Sequence, residues 1–106
     1  MIMIDGEALV QIFVDRTPSL ENYIRYFETF NYVITANPNY EENFEKIAIY
    51  TNENEKDKVT HASKQYKNMW RSKLGSNIII EHELSWLEGY DADNYGYVKI
   101  IMKKKI

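Results

Sequence analysis

The sequence predicts an α+β fold in which an antiparallel sheet of about four to five strands packs with two helices. Three observations predict this class. The chain has 106 residues, 44% of them hydrophobic, which is enough for one domain and too little for two. Apolar residues recur at helical spacing in two segments, and β-prone runs bounded by turn signals occupy most of the remainder. No repeat or Gly/Ser linker is present, so a single domain over residues 1–106 is expected.

The first predicted helix covers residues 18–30. Thr17 is its expected N-cap and Pro18 occupies the first helical position, where the missing N–H of proline costs nothing. A meander of four predicted strands follows, at 32–35, 44–51, 59–65 and 69–74. The polar segment 52–58 is interpreted as the loop of a hairpin.

A second helix is predicted after the break at residues 75–77. Ile80, Leu84 and Leu87 lie on one side of it, and it ends before Gly89. The last predicted strand covers residues 95–102. The resulting order is helix, strand meander, helix, strand.

Composition excludes several classes of protein. The net charge is −3, and the one basic run is 103–105, which argues against sequence-independent nucleic-acid binding. No apolar run reaches the ~18–20 residues of a membrane span, and the N-terminus lacks signal-peptide features. The absence of cysteine excludes disulfides, thiolate zinc sites and a cysteine nucleophile. A cytoplasmic protein without membrane association is expected.

Neither a cofactor nor a metal is predicted. The four glycines do not form a phosphate-binding loop or a dinucleotide fingerprint. The segment beginning His82-Glu83 starts like the helical zinc motif HExxH, but Trp86 stands where the second histidine ligand is required. His82 is therefore predicted to lie on the outer face of the second helix.

The candidate site lies on the third and fourth strands of the meander. Alternation places Val59, His61, Ser63 and Gln65 on one face of their strand. On the next strand, Trp70, Ser72 and Leu74 share a face, opposite Arg71 and Lys73. A histidine, a hydroxyl and an amide could thus converge across one hairpin. The candidate ligand-binding residues are His61, Gln65, Trp70, Ser72 and Lys73.

A purely structural interpretation of the same residues stays open. A strand histidine commonly bonds a neighbouring carbonyl, and Trp70 and Leu74 suit a hydrophobic core.

The ordered blocks FEKIAIY, THASKQ, WRSKLG, IEHELSWLEG and YGYVKIIMKK resemble an uncharacterised bacterial domain family of papain-like, NlpC/P60-type organisation. The resemblance runs from about Thr17 to Lys104. It implies a cysteine nucleophile at the start of a buried helix and a strand histidine as its base, and His61 matches that histidine. Residues 1–16 are too short for the cysteine segment, and the chain has no cysteine. The resemblance therefore implies a shortened, pseudoenzyme-like relative with no catalytic residues.

Three functional hypotheses follow. The first is a non-catalytic binding protein that sequesters a small polar or anionic ligand, encoded by a phage or mobile element, with Trp70 stacking and Lys73 or His61 pairing charge. The second is a protein-binding inhibitor or immunity-type module that uses the nine tyrosines and the acidic loop. The third is a hydrolase with a non-cysteine nucleophile. The apolar segment Leu9–Val14 is expected to be buried, or to pair with a second copy in a homo-oligomer.

Overall fold

A computed structural model describes residues 19–52, 58–74, 78–89 and 96–106, together with the backbone of residues 2–4 and 7–10. Residues 11–14, most of the apolar segment Leu9–Val14, lie outside the described residues, as do Thr17, Pro18, 53–57 and 75–77. The expectations for those positions stay predictions, with one exception. The prediction of a helix that begins at residue 18 with Thr17 as its N-cap is wrong, because the helix begins at Leu20 and Ser19 is its N-cap.

The main sheet has six antiparallel strands in the order β3-β8-β4-β5-β6-β7. The strands are β3 (Val33–Thr35), β4 (Phe44–Thr51), β5 (Val59–Tyr66), β6 (Met69–Leu74), β7 (Ile78–His82) and β8 (Tyr97–Lys105). Two N-terminal strands, β1 (Ile2–Ile4) and β2 (Glu7–Val10), form a separate hairpin, and β1 lies near β5 and β6.

The α+β prediction, with two helices on four to five strands, is wrong. Among the described residues there is one α-helix, α1 (Leu20–Glu28), and the chain is mostly sheet. The predicted second helix is instead strand β7 followed by a 3-10 helix, Leu84–Leu87. The physical reason is the run of three isoleucines at 78–80, because β-branched side chains lose χ1 freedom in a helix and pack well in a sheet.

Helix α1 begins directly after Ser19, whose side chain caps it. The Ser19 hydroxyl accepts a hydrogen bond from the backbone N–H of Asn22 at 3.1 Å. Leu20, Tyr23 and Phe27 then face the sheet and are buried. None of the helices in the described ranges has the length and apolar content needed to cross a membrane.

Each face of the sheet carries its own hydrophobic core. The face under α1 holds Ile47, Ile49, Ala62 and Met102, packed against the helix. The opposite face holds a smaller cluster, comprising Ala48, Tyr50, Trp70 and Leu87. Alternation along β4 thus separates the two cores, and the second face, which α1 leaves uncovered, is where the candidate site lies.

The hairpin of β4 and β5 is confirmed, with Ile49 opposite Ala62 and Tyr50 opposite His61. A β-bulge beside Tyr50 and Thr51 shifts the register there. Val59 consequently packs in the cluster under α1, so the prediction that Val59 shares a face with His61 is wrong.

Candidate functional site

A cavity of about 730 Å³ opens on the sheet face opposite α1. Three parts of the chain surround it: the segment between β3 and β4, the turn joining β5 to β6, and the 3-10 helix with its flanks. The lining residues are Pro38, Asn39, Tyr40, Gln65, Asn68, Trp70, Glu83, Leu84, Ser85 and Glu88. A volume of this size is within the range of small-molecule sites.

Gln65 is the most deeply buried polar side chain in the lining, with 8% of its surface exposed. Its Nε2 donates a hydrogen bond to the carbonyl oxygen of Pro38 at 2.8 Å. A carbonyl can only accept, so this bond fixes which end of the amide is the nitrogen. The other end, Oε1, is buried and has no hydrogen-bond partner among the described residues.

Lys46 fixes the loop 36–41, which forms one wall of the cavity. The Lys46 side chain is fully buried, and its Nζ donates to the carbonyl oxygens of Asn37 and Asn39 at 2.8 and 2.7 Å. It also pairs with the Glu41 carboxylate at 2.7 Å. The hydrogen bond from Lys46 holds the pKa of Glu41 below its usual value, with further help from Lys103. One ammonium thus satisfies three acceptors of the loop.

A buried polar network supports the opposite wall. Ser72 Oγ lies 2.6 Å from Ser63 Oγ and 2.6 Å from His82 Nε2. The second ring nitrogen of His82, Nδ1, lies 2.8 Å from the carbonyl oxygen of Glu83. That oxygen can only accept, so Nδ1 carries the proton and Nε2 accepts from Ser72. The network therefore positions the backbone of Glu83, which lines the cavity.

Two further bonds hold this wall. The Tyr50 hydroxyl donates to the carbonyl oxygen of Leu84 at 3.1 Å, and the Glu88 carboxylate accepts from the backbone N–H of Val98 at 2.9 Å. Burial raises the pKa of Tyr50 to about 12, so its hydroxyl keeps its proton at neutral pH. The wall that includes the 3-10 helix is thus tied to the sheet by buried side chains.

His61 lies on the same sheet face but is not among the lining residues. It is half-buried opposite Tyr50, with the two ring centroids 5.5 Å apart. Burial lowers the pKa of His61 to about 4, and proximity to His82 adds to the effect. His61 is therefore neutral at pH 7 and carries no charge with which to pair an anion.

The predicted site residues separate into three groups. Gln65 and Trp70 are directly paired across β5 and β6 and both line the cavity. Ser72 is fully buried in the network behind the wall, and the ring of His61 packs against that of Tyr50. Lys73 lies on the other sheet face, since it neighbours Ser72 along β6.

Trp70 also has the structural role left open by its sequence. It is buried and packs with Ala48, Tyr50 and Leu87. Trp70 is therefore a core residue that also forms part of the cavity surface.

The charged residues that line the cavity in the described part of the chain are both acidic. They are Glu83 and Glu88, and the described lining holds no lysine, arginine or histidine. No group of three or more histidine, cysteine or acidic side chains that could hold a metal ion occurs in the described part of the chain.

Sequence reasoning missed His82 and Lys46. The prediction that His82 lies on an exposed helix face is wrong: it is fully buried on β7, directly opposite Trp70. The run of isoleucines before His82 was the available signal, because it favours a strand. In a strand that ends at His82, the His82 side chain can point into the interior of the protein. Lys46 gave no signal, since a lysine on an apolar strand usually reaches solvent.

The family assignment rests on a match to the greater part of the chain. A family model described as Domain of unknown function (DUF7689) matches residues 8–103. The chain belongs to this family. No curated protein and no solved structure matches the chain.

Proposed function

We propose that this protein is a non-catalytic binding protein that holds a small polar ligand in the cavity beside Gln65 and Trp70. The observation that carries the proposal is a deep amide in an open cavity of about 730 Å³ whose two walls are fixed by hydrogen bonds from buried side chains. Fixed walls favour binding because little side-chain freedom remains to be lost when a ligand enters.

The geometry of the buried serines supports a non-catalytic role. The 2.6 Å contact of Ser72 with His82 has the form of a nucleophile with its base. Both side chains, however, are fully buried, and they are saturated by Ser63 and the Glu83 carbonyl. A substrate carbonyl cannot approach the Ser72 oxygen without opening the sheet. The dyad is therefore assigned to positioning the wall.

The proposal includes descent from a papain-like enzyme, as the sequence resemblance implies, without a catalytic cysteine. It also includes a phage or mobile-element setting, which is independent of the resemblance. A backbone bridge between Ser19 and Lys58 brings the start of α1 beside the start of β5, the strand that carries His61. His61 itself lies on the sheet face opposite α1, so the sequence resemblance alone supports this part of the proposal. An experimental structure superposed on papain-like enzymes tests this descent, and a different strand order would refute it.

The binding proposal is tested by exposing the purified chain to a mixture of polar metabolites and measuring retained mass by native mass spectrometry. Ser85→Trp is the blocking variant, because Ser85 is exposed and lines the cavity, so an indole there fills space without disturbing the core. Lys99→Trp, at an exposed position of β8, is the matched control. Retention by wild type and Lys99→Trp, with loss in Ser85→Trp, is expected. Equal retention by all three contradicts the proposed site.

A protein-binding function is the second candidate, favoured by the edge strand β7. Ile78 and Ile79 are exposed there, and Trp86 is 60% exposed nearby on the 3-10 helix. Apolar side chains on an open strand edge suit strand addition by a partner. Replacing Ile79 by lysine would abolish capture of such a partner while leaving retention of a small ligand unchanged, which separates the two functions.

A further inference from the structure

We infer that strand β3, at one edge of the main sheet, is a docking site for an extended, acidic segment of a partner protein. Such a segment would add a strand beside β3 and place its carboxylates near Lys104 and Lys105. The surface lies at the opposite end of the sheet from β7. The inference depends neither on the cavity nor on the ligand proposed for it.

The first support is the open edge of β3. In the described sheet β3 is terminal and pairs with β8 on one side, so the backbone N–H and C=O groups on its other side can bind an added strand. Val33 and Ile34 are 55% and 56% exposed, although both are aliphatic. Because successive side chains alternate, the two lie on opposite faces of the sheet. A strand added to β3 would therefore gain backbone hydrogen bonds and an aliphatic contact on each face.

The second support is the positive charge of the neighbouring strand β8. Three lysines, residues 103–105, end this strand, and Lys103 is directly paired with Val33 of β3. Lys103 forms an ion pair with Glu41 at 3.4 Å, whereas Lys104 and Lys105 have no ion pair with a described residue. Two uncompensated positive charges thus lie one strand from the open edge. They complement a partner segment that carries carboxylates.

The side chain of Lys104 is directed toward β3. Its Nζ lies 5.8 Å from the centroid of the ring of Tyr32, the residue before β3. Glu45 is directly opposite Lys104 on β4, but the Glu45 carboxylate lies 3.6 Å from the ammonium of Lys64. The Lys104 ammonium therefore lies on the β3 side of β8, where a carboxylate of an added strand can approach it.

Two other occupants of this edge fit the observations less well. The hydrocarbon region of a lipid bilayer offers no hydrogen-bonding groups to the open backbone of β3. A second copy paired through β3 would bring two runs of three lysines to one junction, and like charges repel. An acidic strand, in contrast, both binds the backbone and compensates the lysines.

Two peptides of equal length test the inference: a capped hexapeptide of alternating valine and glutamate, and its counterpart of alternating valine and lysine. Binding is followed by ¹H–¹⁵N NMR of the full chain. The backbone amides of β3 are the reporters, and those of β7, the other edge strand, serve for comparison. The acidic peptide is expected to shift the β3 amides and to bind about tenfold more tightly than the basic peptide. Its affinity should fall as the salt concentration rises.

Matched variants locate the surface. Lys104→Glu should weaken the acidic peptide several-fold. Lys99→Glu makes the same charge change at an exposed position of β8 beyond its pairing with β3, and it should leave the affinity unchanged. Ile34→Ser should also weaken the peptide, whereas Ile78→Ser, at a similarly exposed position of β7, should not. The ¹H–¹⁵N spectrum of each variant confirms folding.

The inference is overturned if neither peptide shifts the β3 amides, if the basic peptide binds as tightly as the acidic one, or if Lys99→Glu weakens binding as much as Lys104→Glu. It is also overturned if the β3 amides respond only to phosphatidylserine vesicles, which identifies a lipid surface, or only to the concentration of the protein itself, which identifies a second copy. Retention of metabolites tests the cavity separately from all of these outcomes.

Discussion

Ser72 on β6 and His82 on β7 are diagonal neighbours across the strand pair, with 2.6 Å between Oγ and Nε2, and neither side chain is exposed. The pair connects the interior of the sheet to the cavity wall, because the other nitrogen of His82 holds the carbonyl of Glu83. A buried network of this kind is costly when incomplete, since each orphaned group keeps its desolvation penalty.

Removing His82 should therefore destabilise the fold. His82→Leu leaves Ser72 without its acceptor and releases the Glu83 carbonyl, and a loss of about 1–3 kcal/mol in the free energy of unfolding is expected. Urea unfolding measures it. In a double-mutant cycle with Ser72→Ala, the double variant should lose less stability than the sum of the two single variants, because both substitutions remove the same hydrogen bond. Strict additivity would contradict the network.

The same burial predicts that Ser72 is chemically inert. A fluorophosphonate that labels activated serines should leave the folded protein unmodified, since the reagent cannot reach a fully buried oxygen. Intact-mass spectrometry reports the result. Labelling of the wild type that disappears in Ser72→Ala, while persisting in Ser85→Ala, would restore the hydrolase hypothesis.

Stability should fall as the pH drops below neutrality. The pKa of His61 is lowered from 6.5 to about 4 in the folded chain, and that of His82 is lowered as well, so between these pH values the unfolded chain binds more protons. The stabilisation is present in full above pH 6.5 and is lost as the pH approaches 4. At pH 5 the contribution of His61 to the loss is about 2 kcal/mol.

Urea midpoints of the wild type and His61→Gln at pH 7.5 and 5.0 test this dependence. The variant removes the titrating group, so it should lose less stability over the same interval. An equal drop in both proteins would mean that His61 contributes nothing to the pH dependence.

Two ion pairs of similar length should contribute differently to the free energy of unfolding, because one lysine is buried and the other pair is exposed. Lys46 pairs with Glu41 at 2.7 Å with no exposure of the lysine side chain, whereas Arg25 pairs with Glu21 at 2.6 Å with 71% of the arginine side chain exposed. Lys46→Met leaves three acceptors without their donor and should cost about 2–4 kcal/mol. Arg25→Met should cost less than about 0.5 kcal/mol.

Thermal melts compare these two variants, and hydrogen exchange localises the effect. Faster exchange in the loop 36–41 is expected for Lys46→Met alone. Similar melting temperatures for both variants would show that the buried lysine does not hold the loop.

The sequence predicted local structure well where neighbouring residues determine it. The hairpin of β4 and β5 was predicted from two β-prone runs separated by a polar segment. The pairing of Gln65 with Trp70 across β5 and β6 was not predicted. Prediction from the sequence failed at residues 78–82, where apolar spacing fits both a helix and a strand and only pairing with β6 decides.

The cavity could not be predicted for a different reason. Its walls meet through contacts distant in sequence, such as Gln65 with Pro38 and Tyr50 with Leu84. Alternation correctly assigned Lys73 to the sheet face opposite Trp70 and Ser72. It could not reveal on which of the two faces the cavity opens.

Lys73 and Gln65 provide the sharpest comparison between the site expected from sequence and the site in the structure. Lys73 lies on the sheet face away from the cavity, so Lys73→Ala should retain the same metabolite as the wild type. Gln65→Met keeps the length of the side chain but removes the bond to Pro38 that joins β5 to the cavity wall, and it should lower retention of that metabolite. Native mass spectrometry with the same metabolite mixture measures retention by both variants, and a urea midpoint for each confirms folding. If Lys73→Ala weakens binding while Gln65→Met does not, the ligand lies on the other face of the sheet and the cavity is not the site.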